Sequence, residues 1–225
     1  MTDAPSAGPP RLDTGPADAP IRLVLAHGAG AAMTSPFLDQ MADLLAQRGV
    51  GVTRFEFGYM AARRSGGKRR PPPAAAKLET EYEAMVRTLA AEAPAGQQRL
   101  VVGGKSMGGR VASMVAGRLA AEGLVSGLVC LGYPFHPPGL PHKLRTEHLE
   151  ALACPTLIVQ GERDPFGSVA EVAELKLSPA IALTWLPDGD HDFGPRGASG
   201  HTRKGNLAAA ADAVAGFLTR LPALR

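Results

Sequence analysis

The sequence has few of the features that mark secreted, membrane-spanning or nucleic-acid-binding proteins. It contains only two cysteines, Cys130 and Cys154, which is too few for a disulfide framework. No apolar run approaches the roughly 20 residues of a membrane span, and the N-terminus has no charged-then-apolar signal pattern. Aromatic residues make up 5% of the chain and the formal net charge is only +3, so a nucleic-acid surface is not indicated. We expect a cytoplasmic protein that binds neither membranes nor nucleic acids.

The composition is that of one globular domain. The chain has 225 residues, 45% of them hydrophobic and 20% charged, so it is long enough to bury a sizeable core. Residues 1–20 are rich in Pro, Ala, Gly and Asp, and we expect them to form a disordered or loosely attached tail. Residues 21–225 then make up the domain.

Short apolar runs alternate with helical patterns from residue 21 onward. The runs are continuously apolar, as in parallel strands that helices cover on both faces. This favours an α/β fold with a doubly wound, mostly parallel sheet of about six or seven strands and helices on both faces. The predicted strands are residues 21–26, 51–57, 100–102, 124–131, 155–160 and 181–186. The predicted helices are residues 35–47, 78–93, 110–121, 146–152, 169–175 and 202–221.

One strand is followed directly by a Gly-x-Ser-x-Gly pentad. The apolar run at residues 100–102 leads into Gly104-Lys-Ser-Met-Gly108, and a helical pattern begins soon afterwards. Strand, tight turn, serine and helix is the pattern of a nucleophile elbow, in which a strained turn exposes the serine hydroxyl above the sheet. We therefore expect Ser106 to be the nucleophile of a serine-dependent hydrolase.

Three other interpretations compete with the nucleophile elbow and its neighbouring glycine-rich turn. A phosphate-binding P-loop requires glycine where Arg99 stands, so Gly104-Lys-Ser106 does not encode one. A dinucleotide-binding fingerprint beginning at Gly28 lacks its third glycine, because Met33 occupies that position. The third alternative is that Ser106 is an ordinary helix N-cap.

Two further loops carry the other residues that a serine nucleophile needs. Asp164 follows the predicted strand 155–160 and His191 follows the strand 181–186, which gives the chain order Ser, Asp, His of α/β-hydrolases. In this interpretation His191 is the general base and Asp164 orients its imidazole. The alternatives are a turn-initiating Asp164 and a solvated turn histidine, with Glu162 as reserve acid and His201 as reserve base. Coordination spacing for a metal is not evident around His191, and no cofactor is indicated.

The oxyanion hole and the pocket are expected around two turns. The backbone N–H groups of Met107 and Ala29 are the predicted oxyanion donors. His27 is expected to shape the turn that holds Ala29 rather than to titrate in catalysis. Further candidates to line the substrate pocket are Gly28, Gly30, Tyr59, Lys105 and His136.

A basic, proline-rich segment spans residues 63–73. It contains five arginines and lysines between Arg63 and Arg70 and then three prolines. The segment is interpreted as a solvated loop, with a rim that attracts anionic substrates or a patch for an acidic partner as the alternatives. It has no interleaved aromatic residues, so nucleic-acid stacking is not supported.

The short interval between Gly132 and Cys154 leaves room for a loop and one short helix, which predicts an open site without a cap domain.

The chain resembles the α/β-hydrolase superfamily from about residue 21 to its end. It is most similar to a small lidless group akin to dienelactone hydrolases, which includes relatives of the third subunit of the animal NSL histone-acetyltransferase complex. The motifs that carry the resemblance are His27-Gly-Ala-Gly30 with Met33 and Pro36-Phe37, residues 54–60, Arg63-Arg64, Arg70-Pro-Pro-Pro73, Gly104–Gly108, Gly161–Asp164 and Asp190-His191. The resemblance implies the fold and the triad assignment, while the serine argues against the cysteine chemistry of dienelactone hydrolases.

The expected function is hydrolysis of a carboxylic ester, or a related acyl bond, of a small soluble substrate through an acyl-enzyme. Thioester, lactone and amide bonds share this mechanism. Two alternatives remain: a non-catalytic interaction module with the same fold, and an acyltransferase or peptidase that uses the same triad.

Overall fold

The computed structural model describes residues 10–68, 70–92 and 98–222. In these residues seven strands form one sheet in the order β1-β3-β2-β4-β5-β6-β7, and only β1 runs antiparallel to its neighbour. This confirms the predicted α/β architecture with a mostly parallel sheet. The strands are β1 (Arg11–Thr14), β2 (Ile21–Ala26), β3 (Gly51–Phe55), β4 (Arg99–Lys105), β5 (Leu128–Leu131), β6 (Thr156–Gly161) and β7 (Ile181–Leu186).

Helices connect successive parallel strands. The first helix begins where the sequence places an N-cap serine before a proline. Ser35 caps this helix by accepting a hydrogen bond from Leu38 N–H, and Pro36 follows at the first helical position. None of the described helices is long and apolar enough to cross a bilayer. The helices are α1 (Pro36–Ala46), α2 (Gly58–Arg64), α3 (Ala75–Glu92), α4 (Met107–Ala121), α5 (Val169–Ala173) and α6 (Arg203–Arg220).

Two hydrophobic cores lie on opposite faces of the sheet. Leu23 and Leu25 of β2 pack on one face with α1 and α6, while Val24 and Ala26 pack on the other face with α3 and α4. All four side chains are fully buried. Burial of each leucine or valine contributes roughly 1.5–3 kcal/mol to stability. The continuously apolar run at residues 23–26 is therefore explained by helices on both faces, as predicted.

The N-terminal segment differs from its expectation. Residues 10–20 were expected in a disordered or loosely attached tail, but Arg11–Thr14 forms β1 and pairs with β3. Arg11 contacts Glu92 at 2.7 Å and Asp13 contacts Arg22 at 3.1 Å, which ties the strand to the domain. The correction has a physical reason, because β3 offers unpaired backbone groups that composition alone does not reveal. Residues 1–9 of the expected tail, and residues 223–225, lie outside the described residues.

Several element boundaries also differ. α4 begins at Met107 rather than near residue 110, β3 ends at Phe55, and β5 begins at Leu128. The predicted helix at 169–175 ends at Ala173, and residue 93 of the predicted helix 78–93 lies outside the described residues. The helix predicted over residues 146–152 is a single 3₁₀ turn, Glu147–Leu149. This turn is the only helical element between β5 and β6 in the described chain, so the expected absence of a cap domain is confirmed.

Part of the basic segment is helical rather than loop. Arg63 and Arg64 end α2, and the Arg64 Nε lies 3.2 Å from a carboxylate oxygen of Glu56, whose side chain is fully buried. Lys68 and Arg70 are exposed outside any helix or strand, whereas residue 69 lies outside the described residues. The interpretation of the whole segment as a solvated loop therefore needs correction at Arg63 and Arg64.

Candidate active site

Ser106 lies on a sharp turn between β4 and α4. Its backbone φ is +52°, a left-handed conformation that is uncommon for a residue other than glycine. A Cβ on Gly104 would lie 2.7 Å from the carbonyl oxygen of Ala26, and a Cβ on Gly108 would overlap the same atom. Both glycines are therefore required for α4 to approach the sheet. The Ser106 side chain makes no capping hydrogen bond, which removes the support for an ordinary N-cap role.

Asp164 and His191 lie side by side at the ends of β6 and β7. His191 Nδ1 and Asp164 Oδ2 are 2.8 Å apart, and Phe166 N–H donates to Asp164 Oδ1 at 2.9 Å. Asp164 is fully buried, so its carboxylate is held by these contacts rather than by water. The ring of Phe166 lies 4.4 Å from that of His191, centroid to centroid, and covers the imidazole. A proton on Nδ1 leaves Nε2 free to act as an acceptor.

Gln160 is a site residue that the sequence interpretation missed. Its side-chain Nε2 donates to Asp164 Oδ2 at 3.0 Å, while its Oε1 accepts a hydrogen bond from Tyr133 N–H at 2.7 Å. It is fully buried in β6. The available signal was an amide that directly follows the apolar residues 157–159 of the strand, since a buried polar side chain needs partners.

Two clefts meet at Ser106. We call the first the lysine cleft; it has a volume of about 480 Å³ and includes Lys105, Ser106 and His191. We call the second the arginine cleft; it has a volume of about 360 Å³ and includes Ser106, Arg110 and Arg145. Ala29, Ser106 and Phe166 line both clefts. Open space therefore extends from Ser106 in two directions.

Ser106 and His191 face the same cleft without being hydrogen bonded to each other. The Ser106 hydroxyl has no hydrogen bond to the imidazole in the described part of the chain, although both side chains line the lysine cleft. Catalytic hydrogen bonds are often long in unliganded enzymes and tighten when substrate binds. The structure thus brings together the three predicted catalytic residues, with the Asp164–His191 contact already formed.

The turn that carries Ala29 is braced from two sides. Tyr59 donates its hydroxyl to the carbonyl oxygen of Ala29 at 3.0 Å, and His27 Nδ1 lies 2.7 Å from the carbonyl oxygen of Gly28. Burial lowers the pKa of His27, and Phe57 N–H donates to its Nε2 at 3.2 Å, so the ring braces the turn through both nitrogens. Met107 opens α4, where the first N–H groups have no partner within the helix. Gly28 and Gly30 line the lysine cleft.

Lys105 is more constrained than a simple pocket residue. It lines the lysine cleft, but its Nζ donates to the carbonyl oxygen of His191 at 2.7 Å and lies 3.3 Å from Asp192 Oδ1. The Nζ also lies 5.1 Å from the centroid of the Phe37 ring. Burial lowers the pKa of Lys105, and the carboxylates of Asp192, Asp164 and Asp190 oppose that effect. Lys105 thereby ties the nucleophile turn to the histidine loop.

Two predicted pocket residues lie elsewhere. His136 is buried, with Nδ1 2.9 Å from the carbonyl oxygen of Pro137, and it lines neither cleft. Tyr59 also lines neither cleft, and reaches the site only through Ala29. Both expectations are corrected, because sequence position after a strand does not fix the direction of a side chain.

The reserve residues are not brought to the site. Glu162 accepts a hydrogen bond from Asp188 N–H at 2.8 Å, so its carboxylate braces the β7 loop instead of the imidazole. His201 is exposed and lines neither cleft. Asp190 accepts hydrogen bonds from two backbone N–H groups within its own turn.

A strained serine on a strand-to-helix turn, with an aspartate and a histidine at the ends of later parallel strands, defines the class of α/β-hydrolases. The family model described as an alpha/beta hydrolase domain matches residues 19–219. The chain therefore belongs to the alpha/beta hydrolase domain family.

Solved structures share this fold at low sequence identity. A dienelactone hydrolase from Anabaena variabilis is 21% identical, with a TM-score of 0.68, over 96% of this chain and 92% of that one. Est1E from Butyrivibrio proteoclasticus with ferulic acid bound is 16% identical, with a TM-score of 0.68, over 94% of each chain. An alpha-beta serine hydrolase homologue from Coxiella burnetii is 18% identical, with a TM-score of 0.65, over 92% of this chain and 90% of that one. These likenesses support the fold.

Proposed function

We propose that the protein is a serine hydrolase that cleaves a carboxylic ester, or a related acyl bond, through Ser106, His191 and Asp164. The observation that carries the proposal is the 2.8 Å contact between His191 Nδ1 and Asp164 Oδ2 in a loop that shares a cleft with Ser106. A buried carboxylate that accepts from Nδ1 holds the imidazole in the tautomer that a general base needs. The strained backbone of Ser106 adds independent support.

The reaction proceeds in two halves. His191 Nε2 takes the hydroxyl proton as Ser106 Oγ attacks the carbonyl carbon, and the same proton is then delivered to the departing alkoxide. Water attacks the acyl-enzyme in the second half, with His191 again acting as base. The N–H groups of Met107 and Ala29 stabilise the oxyanion, and loss of one such donor costs about 3 kcal/mol in the transition state.

The preferred substrates are small and water-soluble. No cap domain covers Ser106 in the described chain, and long acyl chains need an enclosing apolar tunnel that neither cleft supplies. We place the reaction in the cytoplasm, because Cys130 and Cys154 are unpaired buried thiols.

A fluorophosphonate probe tests the proposal. The probe should form one adduct on the peptide that contains Ser106, as located by mass spectrometry. Labelling should disappear in Ser106→Ala and weaken strongly in His191→Ala.

The matched control is Ser126→Ala. Ser126 is a buried serine whose hydroxyl donates to the carbonyl oxygen of Leu100, away from both clefts. This variant should be labelled like the wild type. Absence of labelling in well-folded wild-type protein would overturn the proposal in favour of a non-catalytic interaction module.

A further inference from the structure

The arginine cleft carries two positive charges and, in its described lining, no carboxylate. Arg110 lies on α4 four residues after Ser106, and Arg145 lies in the loop that precedes the 3₁₀ turn. The remaining lining is apolar or backbone, apart from the Ser106 hydroxyl. A cleft whose only charged side chains, among the described residues, are cationic is suited to an anion.

Neither guanidinium has a partner among the described residues. No hydrogen bond or ion pair is formed by the side chain of Arg110 or Arg145, and the Arg110 Nε is buried without an acceptor. Several other arginines of the described chain are paired, for example Arg87, which contacts Glu122 at 2.7 Å, and Arg196, whose Nε donates to Asp188 at 2.9 Å. Leaving a buried donor unsatisfied is costly, so an acceptor supplied by a ligand would stabilise this arrangement.

The two guanidinium groups also act on each other. After burial, the positive charge of Arg110 is the main influence that lowers the pKa of Arg145. Glu79 and Glu147 line a neighbouring cleft together with the same two arginines, and Ser106 does not line that cleft. Glu79 is engaged by Arg118 at 3.0 Å and Glu147 is exposed. Two neighbouring cations that repel each other in one cleft are suited to bind a single oxyanion between them.

We propose that Arg110 and Arg145 bind an oxyanion of the substrate, a carboxylate or a phosphate, while its ester is presented to Ser106. This inference rests on the proposed hydrolase function and names the substrate class. Ser106, Arg110 and Arg145 line one cleft of about 360 Å³, which has room for a small substrate only. We therefore expect a short linker between the anion and the ester, as in a half-ester of a short dicarboxylic acid or a small phosphorylated ester. The planar forks of both arginines match the geometry of either anion.

A matched pair of esters and two competitors test the proposal. Mono-p-nitrophenyl adipate and p-nitrophenyl hexanoate differ by a terminal carboxylate, and the ratio of their kcat/KM values measures anion recognition. The wild type should prefer the adipate, and Arg110→Gln or Arg145→Gln should lower that ratio by about ten- to a hundredfold, the range for a charge-assisted hydrogen bond. Arg110→Lys should retain part of the preference. Arg87→Gln, an exposed arginine of α3 outside both clefts, should leave it unchanged.

Calorimetric titration with succinate and with inorganic phosphate separates the two anions and does not depend on catalysis. Tighter binding of one assigns the anion, and that binding should be lost in Arg110→Gln and Arg145→Gln. The anion subsite is refuted if the wild type hydrolyses the hexanoate as well as the adipate and if neither arginine variant changes the binding of succinate or phosphate. The hydrolase function stands in that case. Failure of Ser106 to label and of both esters to turn over would instead remove the function on which the subsite rests.

Discussion

Gln160 offers a sharp test of how the histidine is oriented, because it acts on the site without touching substrate. In Gln160→Leu the side chain keeps a similar volume but loses both of its polar ends. Asp164 Oδ2 loses the donor at 3.0 Å, and Tyr133 N–H loses its acceptor at 2.7 Å. The Asp164–His191 contact remains, but the carboxylate is less firmly held.

The lost hydrogen bonds set the expected size of the change in stability and of the change in kcat. Loss of a partner for a buried polar group costs about 1–3 kcal/mol, so the two principal lost contacts lower the free energy of unfolding by roughly 2–6 kcal/mol. The bond from Gln160 to the carboxylate is charge-assisted, and kcat should fall by about ten- to a hundredfold if that stabilisation is needed in the transition state. KM should be unchanged, because Gln160 lines neither cleft.

Urea unfolding and steady-state kinetics with a p-nitrophenyl ester separate stability from catalysis. Thr156→Val is the matched control, since Thr156 is a buried polar residue of the same strand whose hydroxyl donates to the carbonyl oxygen of Cys154 at 2.8 Å. This control should lose stability and keep its kcat. An equal fall in kcat in both variants, or an unchanged kcat in folded Gln160→Leu, would refute a positioning role for Gln160.

Three further predictions concern the same loops. Asp164→Asn should reduce kcat by about 10⁴-fold, because the amide favours the wrong imidazole tautomer. A loss of similar size in the affinity for a competitive inhibitor would contradict this, because the variant would then have lost binding rather than catalysis. Lys105→Met removes the bond to the carbonyl oxygen of His191 and should reduce kcat in stopped-flow assays while Ser106 still labels with fluorophosphonate. Hydrogen bonds from Arg196 lower the pKa of Asp188 to about 2, so this carboxylate stabilises the fold above its unfolded pKa of about 3.9. The stability difference between wild type and Asp188→Asn, measured by urea unfolding, should therefore narrow as the pH falls towards 2; a constant difference would contradict the linkage.

The sequence was sufficient where local pattern and chain order carry the information. The Gly-x-Ser-x-Gly pentad predicted the Ser106 turn, because only glycine fits at Gly104 and Gly108 beside the Ala26 carbonyl. The positions of Asp164 and His191 followed from a general property of parallel sheets, whose strand ends meet at one edge.

The sequence was insufficient where a side chain's direction or a distant partner decides the outcome. Gln160 and Phe166 contact the Asp164–His191 pair, yet neither belongs to a motif that marks them. His136 follows a strand as a pocket residue would, but its ring is buried away from both clefts. The strand at residues 11–14 forms because β3 has an open edge, a feature that appears only when the sheet is assembled.

The central claim is that Ser106 carries the acyl group during turnover. Acid quenching of a reaction with p-nitrophenyl acetate, followed by proteolysis and mass spectrometry, measures this directly. The account predicts a mass increase of one acetyl group on the peptide that contains Ser106 in the wild type, and none in Ser106→Ala. Ester turnover that is retained in Ser106→Ala, or an acetyl group found on another residue that is required for turnover, would contradict it.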